Sequence, residues 1–156
     1  MTALRIVIGS DDAGYDYKMR LIDDLVAHQG VADVVDVGVD AAGSTPYASI
    51  AVTAAERVAS GDADRGVLIC GTGLGMAIAA NKVPGIRAVT AHDSFSVERS
   101  ILSNNAHILT MGQRVIGLEL ARRLLGEWLN YRFDESSASA GKLQVLTDYE
   151  RARAHG

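Results

Sequence analysis

The chain holds one cysteine in 156 residues. A lone thiol cannot close an internal disulfide, so a reducing, cytoplasmic setting is expected. No stretch approaches the ~20 apolar residues of a membrane span, and the N-terminus carries no signal-peptide pattern; neither a membrane partner nor export is expected. A basic excess is also missing. The 15 Lys and Arg stand against 19 Asp and Glu, a net charge of -4, which argues against a nucleic-acid partner. Aromatics make up only 5% of the residues, while Ala, Val and Gly are plentiful, a balance suited to helices packed closely on a sheet. Linkers, repeats and low-complexity segments are absent. The length fits one domain, 1–156, large enough for a proper core.

What is present is an alternation. Apolar runs of strand type occupy 4–9, 34–38, 66–70, 86–91 and 108–111. Segments of helical spacing occupy 15–29, 47–59, 74–81, about 95–102, 117–130 and about 139–153. In the first helix the apolar positions are Met19, Leu21, Ile22, Leu25 and Val26. Strands alternating with helices in this way specify an α/β fold, a parallel sheet covered on both faces. Ligands of such sheets sit beyond the C-terminal ends of the strands. The residues to examine are therefore Ser10-Asp11-Asp12, Cys70-Gly71-Thr72, Ala91-His92-Asp93 and Gly112-Gln113-Arg114.

Of these tips, Cys70-Gly71-Thr72-Gly73-Leu74-Gly75 carries most chemistry. A strand that ends in Cys-Gly-Thr-Gly-x-Gly and reopens as a helix offers backbone N–H groups to an anion. It also sets a thiol beside them, where the thiolate is favoured. The dinucleotide fingerprint Gly-x-Gly-x-x-Gly is absent, which disfavours a nicotinamide oxidoreductase, and so is the Walker pattern. Each residue has a plainer reading. Cys70 can be small core filler. Asp11 and Asp12 can cap a helix, His92 can be a capping or core hydrogen-bonding group, and Asn104-Asn105 can be turn residues.

Taken together, these segments resemble the ribose-5-phosphate isomerase type B family, which includes galactose-6-phosphate and allose-6-phosphate isomerases. The resemblance runs from about Arg5 to Glu150. It is strongest from Asp64-Arg65-Gly66 through the Cys70–Gly75 loop to Ala80-Asn81-Lys82-Val83-Pro84-Gly85-Ile86-Arg87-Ala88. Gly9-Ser10-Asp11-x-Ala13-Gly14 and Gly112-Gln113-Arg114-Val115-Ile116-Gly117 add to it. It implies a Rossmann-like three-layer sandwich with a five-stranded parallel sheet and a C-terminal helix. It implies a homodimer or homotetramer with a shared active site, and neither cofactor nor metal. The implied reaction is aldose–ketose isomerisation of a small phosphorylated sugar through a cis-enediolate. Cys70 would be the base between C1 and C2, and Thr72 would help protons move between the oxygens. The amides of Gly71, Gly73, Leu74 and Gly75 would hold the enediolate. Asp11, Tyr47 and Asn104 would hold hydroxyls, Asn104 and the phosphate-binding cations coming from a second subunit.

The chain departs from that family at three places. Asp12 stands where a phosphate-binding histidine is usual. Ser103 stands where a histidine opens the cyclic sugar. The C-terminal phosphate-binding arginines are altered, with Lys142 near one and Ser137 or Ala138 near the other; Arg114 remains and Arg132 is a substitute cation. An aldotetrose 4-phosphate carries phosphate on the oxygen that would close a five-membered ring, so it needs no ring-opening group. Ser103 therefore points to D-erythrulose 4-phosphate and D-erythrose 4-phosphate. The alternative is a ribose 5-phosphate/ribulose 5-phosphate isomerase in which His92, His107 or water opens the ring. A non-catalytic sugar-phosphate-binding protein is the alternative of another class.

Overall fold

The computed structural model describes residues 1–154. Five strands, β1 (Leu4–Ser10), β2 (Val31–Asp36), β3 (Arg65–Cys70), β4 (Ala88–Thr90) and β5 (Ile108–Gly112), form one parallel sheet in the order β2-β1-β3-β5-β4. Six helices accompany them: α1 (Tyr15–Ala27), α2 (Tyr47–Ala59), α3 (Leu74–Ala80), α4 (Ser94–Leu102), α5 (Leu118–Asn130) and α6 (Ala138–Ala154). Strand alternation divides the core. Leu4, Ile6 and Ile8 of β1, with Ile69 and Met111, pack under α1, α4 and α5 around Trp128. Val7, Leu68 and Cys70 face α2 and α3, where Ala51, Ala54, Ala55, Ala79 and Ala80 let the helices lie close. This is the expected three-layer α/β sandwich, with α6 as its C-terminal helix.

The chain leaves β1 for β2 on one side and returns to place β3 on the other. Such a reversal opens a crevice between the C-terminal ends of β1 and β3. Ser10 is in register with Ile69, so Asp11 and Cys70 leave the sheet at the same level.

Three elements depart from the sequence reading. β2 spans 31–36 rather than 34–38. It is an edge strand whose extent follows pairing with Leu4 and Arg5, and it stops where Asp36 Oδ1 accepts the Gly38 N–H and Gly38 takes a φ of 112°. β4 is three residues, not 86–91, because the Arg87 N–H donates to His107 Nδ1 instead of a strand neighbour. In α1 the inward face is Lys18, Leu21 and Leu25; Met19 and Val26 are exposed. Burial of Lys18 is supported by Asp36, whose carboxylate accepts from Nζ at 2.9 and 3.0 Å, and by the Val39 carbonyl.

Candidate active site

β3 is buried along its whole length and delivers Cys70 to the crevice. The chain then turns through Gly71-Thr72-Gly73 before α3. Gly73 has a φ of 82°, and a Cβ there would lie 2.9 Å from the Met111 carbonyl carbon. Only glycine fits a left-handed backbone pressed so closely on a strand. Its N–H donates to Cys70 Sγ at 3.0 Å. That contact ties the sulfur to the backbone of the glycine loop. Cys70 is the free cysteine of the chain and is 5% exposed. The Leu74 N–H donates to Thr72 Oγ1 at 3.2 Å, so the loop's backbone holds both the sulfur and the hydroxyl.

The neighbouring tips close around this loop. Gln113 and Arg114 donate backbone N–H groups to the Cys70 and Gly71 carbonyls at 2.9 and 3.0 Å. The Arg114 side chain lies over Gly71, where a Cβ would come 3.3 Å from Nη1. It has no carboxylate partner among the described residues, which leaves its charge free for an anion. The Tyr47 ring, at the start of α2, occupies the space a Cβ on Gly75 would need, 2.6 Å from Cε2. Asp11 Oδ1 accepts the Gly14 N–H at 3.1 Å. Partial burial, helped by the charge of exposed Asp12, raises the Asp11 pKa, and the Gly14 amide opposes the rise. His92 Nε2 accepts the Gly112 N–H at 2.9 Å, and burial lowers its pKa. It is a neutral acceptor beside the site.

Asn104 and Lys142 lie elsewhere in the chain. β5 begins at Ile108, level with Gly66 at the start of β3. Asn104 precedes it, its carbonyl accepting from Arg87 Nε at 3.0 Å, at the opposite end of the sheet from Cys70. Lys142 is exposed on α6, where Ala140, Leu143 and Gln144 line a cavity of about 140 Å³ with Arg87 and Asn105. Both residues assigned by resemblance to a second subunit thus sit at one end of the sheet, away from their own Cys70. Ser103 Oγ accepts from Arg99 Nε at 2.8 Å. Arg132 donates to the carbonyls of Leu129, Tyr131 and Thr2. It lines a cavity of about 560 Å³ with Met1 and Thr2, before β1. His107, whose Nδ1 accepts from Arg87, is also remote from Cys70.

Two residues escaped the sequence reading. Thr110 and Thr90 place their hydroxyls 2.8 and 3.2 Å from the Gly73 carbonyl oxygen. The signal was only a threonine near the end of each of two strands, and it acquires meaning from their pairing across the sheet. Among the described residues no group of His, Cys, Asp and Glu is arranged to hold a metal, and no helix is long and apolar enough to cross a membrane.

Residues 6–146 match the family model described as Ribose/Galactose Isomerase. D-erythrulose-4-phosphate isomerase 2 of Mycolicibacterium smegmatis is 62% identical over 96% of this chain and 99% of its own. D-erythrulose-4-phosphate isomerase of Pectobacterium atrosepticum is 43% identical over 97% and 99%. The type B ribose 5-phosphate isomerase of Leishmania infantum superimposes with a TM-score of 0.92 at 32% identity, covering 97% of this chain and 99% of that one. The chain belongs to the ribose/galactose isomerase family.

Proposed function

We propose that this protein is an aldose–ketose isomerase that interconverts D-erythrulose 4-phosphate and D-erythrose 4-phosphate. The observation that carries the reading is Cys70 Sγ accepting the Gly73 N–H at 3.0 Å inside a loop whose amides serve an oxyanion. The Cys70 thiolate removes a proton from C1 of the ketose, and the C–H electrons form the C1–C2 double bond. The C2 carbonyl oxygen takes the negative charge, held by the amides of Gly71, Gly73, Leu74 and Gly75. Thr72 passes the O1 proton to O2. The thiol then returns its proton to C2, leaving the aldehyde at C1. Asp11 and Tyr47 hold hydroxyls, Asp12 lies at the same rim, and Arg114 takes phosphate.

A second subunit completes the site with Asn104 and Lys142. The protein is a homodimer or a larger assembly in this reading, and its single unpaired thiol suits the cytoplasm. The substrate follows from Ser103. Its hydroxyl is engaged by Arg99, and serine does not titrate near neutrality as a ring-opening histidine would. An open-chain tetrose phosphate requires no such group. Two relatives named for D-erythrulose 4-phosphate favour the same substrate.

The deciding experiment compares kcat/KM for D-erythrulose 4-phosphate and ribose 5-phosphate on one preparation. The expected preference for the tetrose is tenfold or more, about 1.4 kcal/mol in the transition state. A preference for ribose 5-phosphate would establish the pentose alternative. Tight binding of both without turnover would establish the non-catalytic one.

A further inference from the structure

The loop's donors are only useful if their peptide planes are fixed. Gly73 C=O and Leu74 N–H belong to one trans peptide, so they point in opposite directions. Whatever holds the carbonyl therefore aims the amide. The carbonyl already accepts the Ala77 N–H at 3.2 Å, the first bond of α3. That helix has only seven residues, too short to be rigid on its own.

The second lone pair of the carbonyl is taken by threonine. Thr110 Oγ1 lies 2.8 Å from Gly73 O and 2.8 Å from Thr90 Oγ1. Thr90 Oγ1 is 3.2 Å from the same carbonyl. Two protons serve three contacts, and the two shorter ones are satisfied together when Thr90 donates to Thr110 and Thr110 donates to Gly73. Thr110 is fully buried, so water does not compete for this bond. On the other side of Gly73, its N–H reaches Cys70 Sγ, and the amide of the clamped plane meets Thr72 Oγ1. The clamp thus acts at the same residue that contacts the base.

We infer that Thr110, backed by Thr90, is a positioning pair for the isomerase reaction: it locks the Gly73–Leu74 peptide so that the Leu74 N–H keeps Thr72 Oγ1 in place for proton passage between the substrate oxygens. The inference rests on the isomerase reading. Neither hydroxyl touches substrate; both act through Gly73.

The test compares T110V, T90V and T110S. Valine keeps the volume and removes the hydroxyl, and the Gly73 carbonyl retains Ala77, so the fold survives. T110V should lower kcat by about tenfold or more, with KM changed by less than about threefold, as for an interaction felt mainly in the transition state. T90V should lose less, because Thr110 can still donate. T110S should recover kcat to within about threefold of the original. A T110V kcat within twofold of the parent, or a T110S as poor as T110V, would overturn the inference. Amide hydrogen exchange gives an activity-free reading: Leu74 and Gly73 should exchange at least about fivefold faster in T110V and stay protected in T110S. Unchanged exchange in T110V overturns the clamp even where turnover falls. Absence of isomerase activity in the parent protein would remove the reaction assignment, while the exchange data would still decide whether the pair holds the peptide.

Discussion

The two ends of the sheet are built in different ways. At the C-terminal end nearly every feature is backbone: Gly73 on sulfur, Leu74 on Thr72, Gln113 and Arg114 on the loop carbonyls. Glycines at 71, 73, 75 and 112 admit those close approaches. At the N-terminal end the chain presents side chains: Arg87 on the Asn104 and Asn105 carbonyls, Ser103 on Arg99, and α6 with no buried residue. α6 leaves Val145, Leu146 and Tyr149 exposed and is tied back by Glu150, whose carboxylate accepts the Gly85 N–H. One end gathers Cys70, Thr72, Tyr47, Arg114 and Asp11 around a glycine loop. The other carries Asn104 and Lys142, away from Cys70. On the proposed reading, Asn104 and Lys142 would serve the glycine loop of a second copy.

The largest effect should come from the backbone-built end. Cys70→Ala removes the base while leaving a small buried side chain in its place. Turnover should fall by about a thousandfold, within the usual range for a general base, with the melting temperature little changed. Turnover within tenfold of the parent would sink the assignment of Cys70.

The comparison itself is tested next. Asn104→Ala should lower kcat/KM by about a hundredfold, as expected where a buried hydrogen bond to substrate is lost. Mixing the inactive Cys70→Ala and Asn104→Ala chains under exchange should restore activity. Each mixed dimer would hold one site carrying both substitutions and one carrying neither, giving roughly a quarter of parental activity after random pairing. No recovery beyond the sum of the two variants would mean that Asn104 serves no partner.

Arg114→Met probes a cation at the loop that has no carboxylate partner among the described residues. KM for the phosphorylated sugar should rise about tenfold, the worth of a partly exposed charge-assisted hydrogen bond. Any turnover of unphosphorylated erythrulose should be unaffected. Equal losses on both sugars would assign Arg114 to the loop's structure instead.

Much of this was legible before any coordinates. Apolar runs between glycines located all five strands, and the Cys70–Gly75 spacing pointed to the turn between β3 and α3, because both signals are local. The errors arose where meaning depends on a partner. The limits of β2 and β4 follow backbone pairing at the sheet's edges, which hydrophobicity does not encode. Met19 fits an apolar helix face better than Lys18 does in sequence alone, because a lysine looks solvated until Asp36 is seen beside it. Nothing in the sequence around Arg132 shows that its donors meet backbone carbonyls. Thr90 and Thr110 stand 20 residues apart and become a pair only through the register of β4 on β5.

The smallest effect on turnover, and the sharpest contrast between the ends, should come from His107. Burial, then the charges of Arg87 and Arg65, push its pKa down from 6.5 to about 4, and its Nδ1 is held as an acceptor by the Arg87 N–H. Between these values the unfolded chain binds a proton that the folded chain refuses. Stability is therefore complete above pH 6.5 and declines as pH falls towards 4, by at most about 3 kcal/mol from this group. His92 contributes in the same direction, its pKa also lowered by burial. Asp64, Asp93 and Asp134 are held below 3.8 and act at lower pH. Asn at 107 offers an amide oxygen to the Arg87 N–H and does not titrate. His107→Asn should keep its turnover at pH 7.5 and show a shallower loss of stability from pH 6.5 to 4 in denaturant titrations. A slope as steep as the parent's would mean that the proton is refused elsewhere, with His92 at the reaction end the first group to examine. A shallow slope with intact turnover would mean that the N-terminal end can be retuned electrostatically without disturbing a site made of backbone.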